Sequence, residues 1–335
     1  MGIDLPLIWA AIILFSIGMY IVMDGFDLGI GMLFPFFPAK EDRDVMMNSI
    51  APVWDGNETW LVLGGAGLLA AFPMAYATVL SALYLPLVLM LVGLIFRGVA
   101  FEFRVNASPA RRGLWDKSFA AGSFAAAFFQ GVTLGAFVGG LSMRDGRFVG
   151  GAFDWLTPFS LFTGVGLVIA YMLLGSTWLV MKTEGELQRQ MRRATRRWVW
   201  ALLAVIVAIS IWTPLAQTPI RERWFSLPNF LFFAPVPLLV CVAMFFLLRT
   251  LNRDYHVAPF LLTLALIFLG YSGLGISLWP NIIPPDVTIW EAAGPPQSLG
   301  FTLVGTLFII PIILMYTAFS YWVFRGKVRH GEGYH

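Results

Sequence analysis

Nine runs of roughly twenty apolar residues follow one another along this chain, each long enough to cross a hydrocarbon core of about 30 Å as a helix. Only short polar connections separate them. A chain of 335 residues that is 59% hydrophobic and 12% charged, with a mean hydropathy of +0.78, cannot hide its apolar surface in a water-soluble core. The alternating segments of an outer-membrane barrel are absent, and in lipid only helices and closed barrels satisfy their own backbone hydrogen bonds. The expected fold is therefore an all-α polytopic membrane protein of about nine transmembrane helices, arranged as two four-helix bundles plus one peripheral helix. Residues 1–335 read as one membrane domain, with four helices in 7–141 and five in 158–324.

The spans fall at 7–34, 49–72, 75–96, 119–141, 158–181, 198–215, 230–248, 259–279 and 299–324. Lys and Arg are divided unevenly between their connections. Seventeen lie in the connections after the odd-numbered spans, up to the seventh, and in the C-terminal tail; four lie in the others, and Arg97 is inside the third span. By the positive-inside rule the N-terminus is periplasmic and the C-terminus cytoplasmic, in a bacterial inner membrane. The first apolar run lacks a basic segment before it and continues into Asp24 and Asp27, so it reads as a retained helix and not a cleaved leader. The most basic connection, 182–197, carries Arg189, Arg192, Arg193, Arg196 and Arg197 and reads as a topogenic loop against anionic headgroups. The outer segment 279–296 has no basic residue, and its Trp279 and Trp290 suit an interfacial belt or a docking surface. Cys241 has no partner for a disulfide. Small-residue ridges at Gly25 and Gly29 and at Gly131, Gly135 and Gly139 read as helix-packing surfaces.

The residues that do not belong in lipid carry the functional signal. The first span contains Asp24 and Asp27, the second Asp55 and Glu58; each pair is spaced i,i+3 and so shares a helical face. The two spans run in opposite directions from one cytoplasmic connection, which puts all four acids in the cytoplasmic half, where they could form one cluster. Arg97, with Glu102 and Arg104 just beyond it, approaches the same level as an ion-pairing or tuning group. A charge at mid-membrane costs roughly 2.5–3.5 kcal/mol on insertion scales, so such acids serve proton relay, ion binding or a structural ion pair. Histidine is scarce: His256 lies at the mouth of a connection, His330 and His335 in the tail. A bis-histidine haem site between helices is therefore not available, and no metal-type Cys/His spacing or phosphate loop occurs. Nothing in the chain points to nucleic acid.

The segments Asp24 to Gly31, reading DGFDLGIG, Asn48 to Trp60, reading NSIAPVWDGNETW, and Phe96 to Arg104, reading FRGVAFEFR, resemble subunit II of cytochrome bd-type quinol oxidases, including the cyanide-insensitive branch. The C-terminal PIILMYTAFSYW, Pro311 to Trp322, is similar to that family as well. The resemblance implies a noncatalytic partner of a larger subunit I, which holds two b haems, an oxygen-reducing haem d or a b-type haem in its place, and the quinol-oxidising loop. It also implies a complex that oxidises quinol, reduces oxygen to water and builds a proton gradient with protons drawn from the cytoplasm. In some members subunit II holds a structural quinone; phospholipid and a small accessory transmembrane subunit are further partners. Asp24, Asp27 and Asp55 match the family's intramembrane acids, with Trp54 beside them, whereas Glu58 stands where related sequences can carry an amide. The connection 217–229 is short for the family. An ion- or proton-coupled transporter would cluster carboxylates too, but with inverted repeats that this chain lacks; a purely structural assembly subunit would use the acids only as pins.

Overall fold

The computed structural model describes residues 3–144 and 147–331, so His335 lies outside the described residues. Thirteen α-helices are present among them: α1 (Leu5–Leu33), α2 (Lys40–Asn48), α3 (Trp54–Ala71), α4 (Pro73–Ala82), α5 (Tyr84–Val105), α6 (Pro109–Gly139), α7 (Pro158–Lys182), α8 (Gly185–Ala216), α9 (Thr218–Phe225), α10 (Asn229–Phe233), α11 (Pro235–Leu251), α12 (Ala258–Leu278) and α13 (Pro296–Val323). Two short antiparallel hairpins complete the fold: β1 (Met143–Arg144) with β2 (Arg147–Phe148), and β3 (Asn281–Ile283) with β4 (Val287–Thr288).

Eight helical segments among the described residues are long and apolar enough to cross a membrane, with α10 and α11 acting as one segment, 229–251. The remaining helix of the expected nine is α3. It has 18 residues and opens with Asp55, Asn57 and Glu58, so its hydropathy does not mark it as a span. It nevertheless runs back along α1: Asn57 reaches Met23, Gly64 faces Ile17, and Gly67 faces Ile13 and Trp9.

The third expected span needs correction. The apolar run beginning at residue 75 is broken at Leu83, whose backbone leaves the helical region, and the chain divides into the ten-residue α4 and the true span α5, which extends to Val105. Pro73 starts α4 and Pro86 lies in the first turn of α5; proline favours such positions because the missing N–H would be unpaired there anyway. The second span is also shorter than expected, because 49–53 form turns before Trp54.

α1, α3, α5 and α6 form one group and α7, α8, α11 and α12 a second, joined where α1 and α6 pack on α7; α13 lies outside, against α1 and α3. The joint depends on glycine. A Cβ on Gly29 would collide with the backbone of Tyr171, and one on Gly175 would stand 2.7 Å from the Gly29 carbonyl carbon. Without a hydrophobic force between helices in lipid, such close backbone packing is one of the attractions that hold them together. Gly131 and Gly135 meet α7 in the same way, whereas Gly139 faces open space.

One end of the helix bundle is capped by the segment that sequence marked as a belt. Ile283, Ile289 and Ala292 are buried against Ala71, Phe72 and Trp155, the Gly294 amide donates to the Ala71 carbonyl at 2.8 Å, and Trp290 donates to the Asp4 carboxylate at 3.0 Å. At the opposite end, His256 Nδ1 faces the donors of Gln188 and Arg192 at 3.1 and 3.2 Å; burial, then Lys327 and Arg192, push its pKa below the ordinary value. Gly29→Val should destabilise the detergent-purified protein by about 1–3 kcal/mol or more, as overpacking does, and lower its melting temperature, whereas Gly65→Ala, with nothing near its Cβ, should leave it unchanged.

Candidate functional site

The acids sit where α1, α3 and α5 converge. Asp24 and Asp27 are one turn apart on α1, and both are wholly buried. The Arg97 guanidinium, on α5 and only 1% exposed, ties the three helices together: Nη1 donates to Asp24 Oδ1 at 2.5 Å and Nη2 donates to Glu58 Oε1 on α3. Trp54 in the first turn of α3 covers the guanidinium, with its ring centre 5.6 Å from Cζ, and packs on Phe101 in turn. A guanidinium suits this place because it offers several fixed donors and stacks on an aromatic face.

Asp27 is held by a different partner. Asn57 Nδ2 donates to Asp27 Oδ2 at 2.7 Å and to the Met23 carbonyl at 3.2 Å, while Asn57 Oδ1 accepts from the Tyr321 hydroxyl of α13 at 2.9 Å. Asp27 Oδ1 accepts no hydrogen bond among the described residues. Beside this chain a cavity of about 20 Å³, enough for one water by the usual measure, is lined by Gly56, Asn57, Tyr316, Ser320 and Tyr321. A larger cavity of about 220 Å³ near Leu83, Gly140 and Trp155 contains none of these acids, and its one carboxylate, Asp154, already accepts from the Gly151 amide. Size is a poor guide to the chemistry in this molecule.

The structure thus brings Asp24, Asp27, Glu58, Arg97 and Trp54 together, and leaves three of the singled-out residues outside. Asp55 is exposed on the surface of α3; it is close enough to affect Glu58 electrostatically but makes no ion pair with the cluster. Glu102 is exposed on α5. Arg104 belongs to a second network at the ends of α2, α5 and α6, pairing with Asp116 at 2.5 Å and Asp44 at 2.7 Å, with Arg43 on the other oxygen of Asp116 at 3.0 Å. The i,i+3 rule placed each pair on one face, but residues two apart differ by about 200° on a helix, so the rotation of α3 that turns Asn57 inward necessarily turns Asp55 outward.

Sequence reading missed Asn57, Tyr321, Asp44 and Asp116. Asn57 had a signal: an amide between two acids, at a position that a buried stripe through Trp60 and Gly64 would include. Tyr20 and Tyr171 also surround Asp24, and Tyr171 donates to Gln130 at 2.9 Å. Among the described residues no group of three or more His, Cys, Asp or Glu is arranged to hold a metal ion. His256 is engaged with Gln188 and Arg192, and His330 with Asp42, both outside the helix interior, so the described histidines do not fit a haem between helices.

Comparison with known proteins decides the family, since residues 5–324 match the one described as cytochrome bd terminal oxidase subunit II. The chain belongs to that family. It is 31% identical to cytochrome bd-I ubiquinol oxidase subunit 2 of Escherichia coli strain K12, with 96% of this chain and 94% of that one covered. It is 29% identical to cytochrome bd ubiquinol oxidase subunit 2 of Bacillus subtilis strain 168, covering 93% and 94%. The structure of bd oxidase from Geobacillus thermodenitrificans shares the fold with a TM-score of 0.73 at 18% identity, covering 94% of this chain and 98% of that chain. Subunit II is thus a multi-pass bacterial membrane protein and part of an oxygen-reducing quinol oxidase, a complex that contains haem and a subunit I.

Arg97→Met would leave the Asp24 carboxylate buried and unpaired. It should cost about 3–5 kcal/mol, the usual penalty for breaking a buried pair, and is checked as a lower melting temperature and reduced yield of the complex. Arg97→Lys, which keeps the charge but loses the fork, should fall between.

Proposed function

We propose that this chain supports subunit I and conducts protons to it from the cytoplasm through Asp24, Asp27 and Glu58, with Asp55 as the outermost member and Arg97 as the group that balances their charge. The observation that carries this reading is a charge imbalance: three carboxyl groups share one guanidinium in a buried site, and one oxygen of Asp27 is left without a donor. In a low-dielectric interior such a site approaches neutrality by holding protons, and a buried carboxyl group with a free oxygen, whose amide partner Asn57 lines a water-sized cavity, has parts that a relay needs. Glu102 and Arg104 lie outside this route and serve the cytoplasmic ends of the helices.

The orientation follows from the same reading. The basic connections gather at one end, where Arg43, Arg104 and Arg112 meet Asp44 and Asp116 and the tail meets Lys182 and Asp42. That end is assigned to the cytoplasm, with the N-terminus periplasmic and the C-terminus cytoplasmic. Haem b, haem d or a b-type haem in its place, and the quinol-oxidising site belong to subunit I. Quinol, phospholipid, a structural quinone and a small accessory transmembrane subunit are the further neighbours this assignment anticipates.

A structural reading has its own support in the ion pairs of Arg97, which pin three helices whether or not a proton moves. Amide replacements separate the two readings. Asp27→Asn and Asp55→Asn, measured on the purified complex, should keep the haem content and slow oxygen consumption by roughly a hundredfold, the lower end of proton-transfer effects. Undiminished turnover in Asp27→Asn would remove that residue from the route; loss of haem together with the subunit would favour the pin. Asp55 is exposed and its replacement disturbs no buried hydrogen bond, whereas Asp27 is buried and held by Asn57, so Asp55→Asn is the cleaner variant of the two.

A further inference from the structure

Tyr321 lies near the end of α13, and what fixes that end is the chain that follows it. From Phe324 to His330 the tail lies across the ends of α7 and α2. The Val328 amide donates to the Lys182 carbonyl at 2.8 Å, and Lys327 Nζ donates to the Thr183 carbonyl at 3.1 Å. Arg329 pairs with Glu184 at 2.7 Å, and His330 Nε2 meets Asp42 Oδ1 at 3.2 Å.

Lys182, the last residue of α7 and only 6% exposed, is the centre of this arrangement. Its ammonium donates to the carbonyls of Phe324 and Gly326, at 2.5 and 3.1 Å, and stands 5.2 Å from the Trp178 ring centre. Those carbonyls follow directly on α13, beyond the last turn of its intrahelical ladder. Trp178 stacks on Phe26, the neighbour of Asp27, at 4.2 Å between centroids, and both rings meet Tyr321 edge-on at 6.1 and 6.5 Å. Lysine, tail and aromatic box therefore converge on the tyrosine whose hydroxyl completes the Asn57–Asp27 chain.

We infer that Lys182 is a positioning residue for Asp27: by clasping the first carbonyls after α13 it holds Tyr321 on Asn57, and so fixes which oxygen of Asp27 is bound and which is free. Asn57 has no acid proton to pass on, so its part is to orient the carboxyl group. The functional weight of the inference rests on the proposed proton route, but the geometry it asserts does not. α7 belongs to the second helix group and the acids to the first, and the clasp connects them through α13, which packs on α1 and α3.

The test uses the purified complex with four variants: Lys182→Met, Lys182→Arg, Tyr321→Phe and the double Lys182→Met/Tyr321→Phe. The direct readout is infrared difference spectroscopy of the Asp27 carboxyl group, identified by the band that Asp27→Asn abolishes. Lys182→Met and Tyr321→Phe should displace that band in the same direction, the double variant should add nothing to either single one, and Lys182→Arg should restore the wild-type position. Oxygen consumption should slow by roughly three- to tenfold with haem content intact, the scale of one lost hydrogen bond. An unmoved band in Lys182→Met, or a double variant that sums the two single effects, would overturn the inference. A displaced band with unchanged turnover would uphold the clasp and count against the proton route, so the two ideas fail separately. Should Lys182→Met lose its haem, Lys182→Gln carries the same test, since it keeps a polar group at the end of α7 but is one atom too short to hold both the Phe324 and Gly326 carbonyls.

Discussion

A single buried guanidinium organises the first half of this molecule. Arg97 is placed on α5 at the height where Asp24 of α1 and Glu58 of α3 both reach it, and no pair of these three helices could rotate without stranding a charge. In lipid that constraint is severe, because the hydrophobic effect gives no preference for one helix rotation over another. Shape supplies the remainder: glycine-backed crossings set how closely α1, α6 and α7 approach, and the ion pairs set which faces look inward.

The division between charge and shape explains what could be read from the chain. Helical class, approximate number of spans and the acids in α1 follow from hydropathy and from the cost of charge in lipid. Arg97 as their partner followed from its depth alone. The third span failed because hydropathy is blind to Leu83: α4 and α5 are equally apolar, and the break depends on local backbone geometry around Pro73 and Pro86. Asp55 and Asn57 show a subtler limit. They are two residues apart in one motif, and periodicity gives their relative angle but not the absolute rotation of α3, which Asn57 settles by bonding to Met23 and Asp27.

Contacts between residues far apart in sequence were the least legible. Tyr321 meets Asn57 across most of the chain, and Lys182 meets the carbonyls of Phe324 and Gly326, yet neither side of either contact is unusual in its own segment. Tyrosine near the end of a span is what any interfacial belt would show, and lysine at the end of a helix is what the macrodipole favours. Asp44 and Asp116 were hidden for the same reason, since acids in polar connections carry no anomaly until Arg104 and Arg43 are placed beside them.

The two ends of the subunit are closed by different forces. At one end, indoles, a buried hairpin and the amide of Gly294 make a seal in which neutral contacts dominate. At the other, the outermost closures are polar contacts with considerable solvent access, the ion pair of Arg329 with Glu184 and the contact of His330 with Asp42. Dissolved salt screens such pairs over a Debye length of about 8–10 Å and leaves neutral seals alone. Ionic strength therefore acts on this protein from one side only, as a solvent-borne adjustment of the tail that leaves the opposite face indifferent.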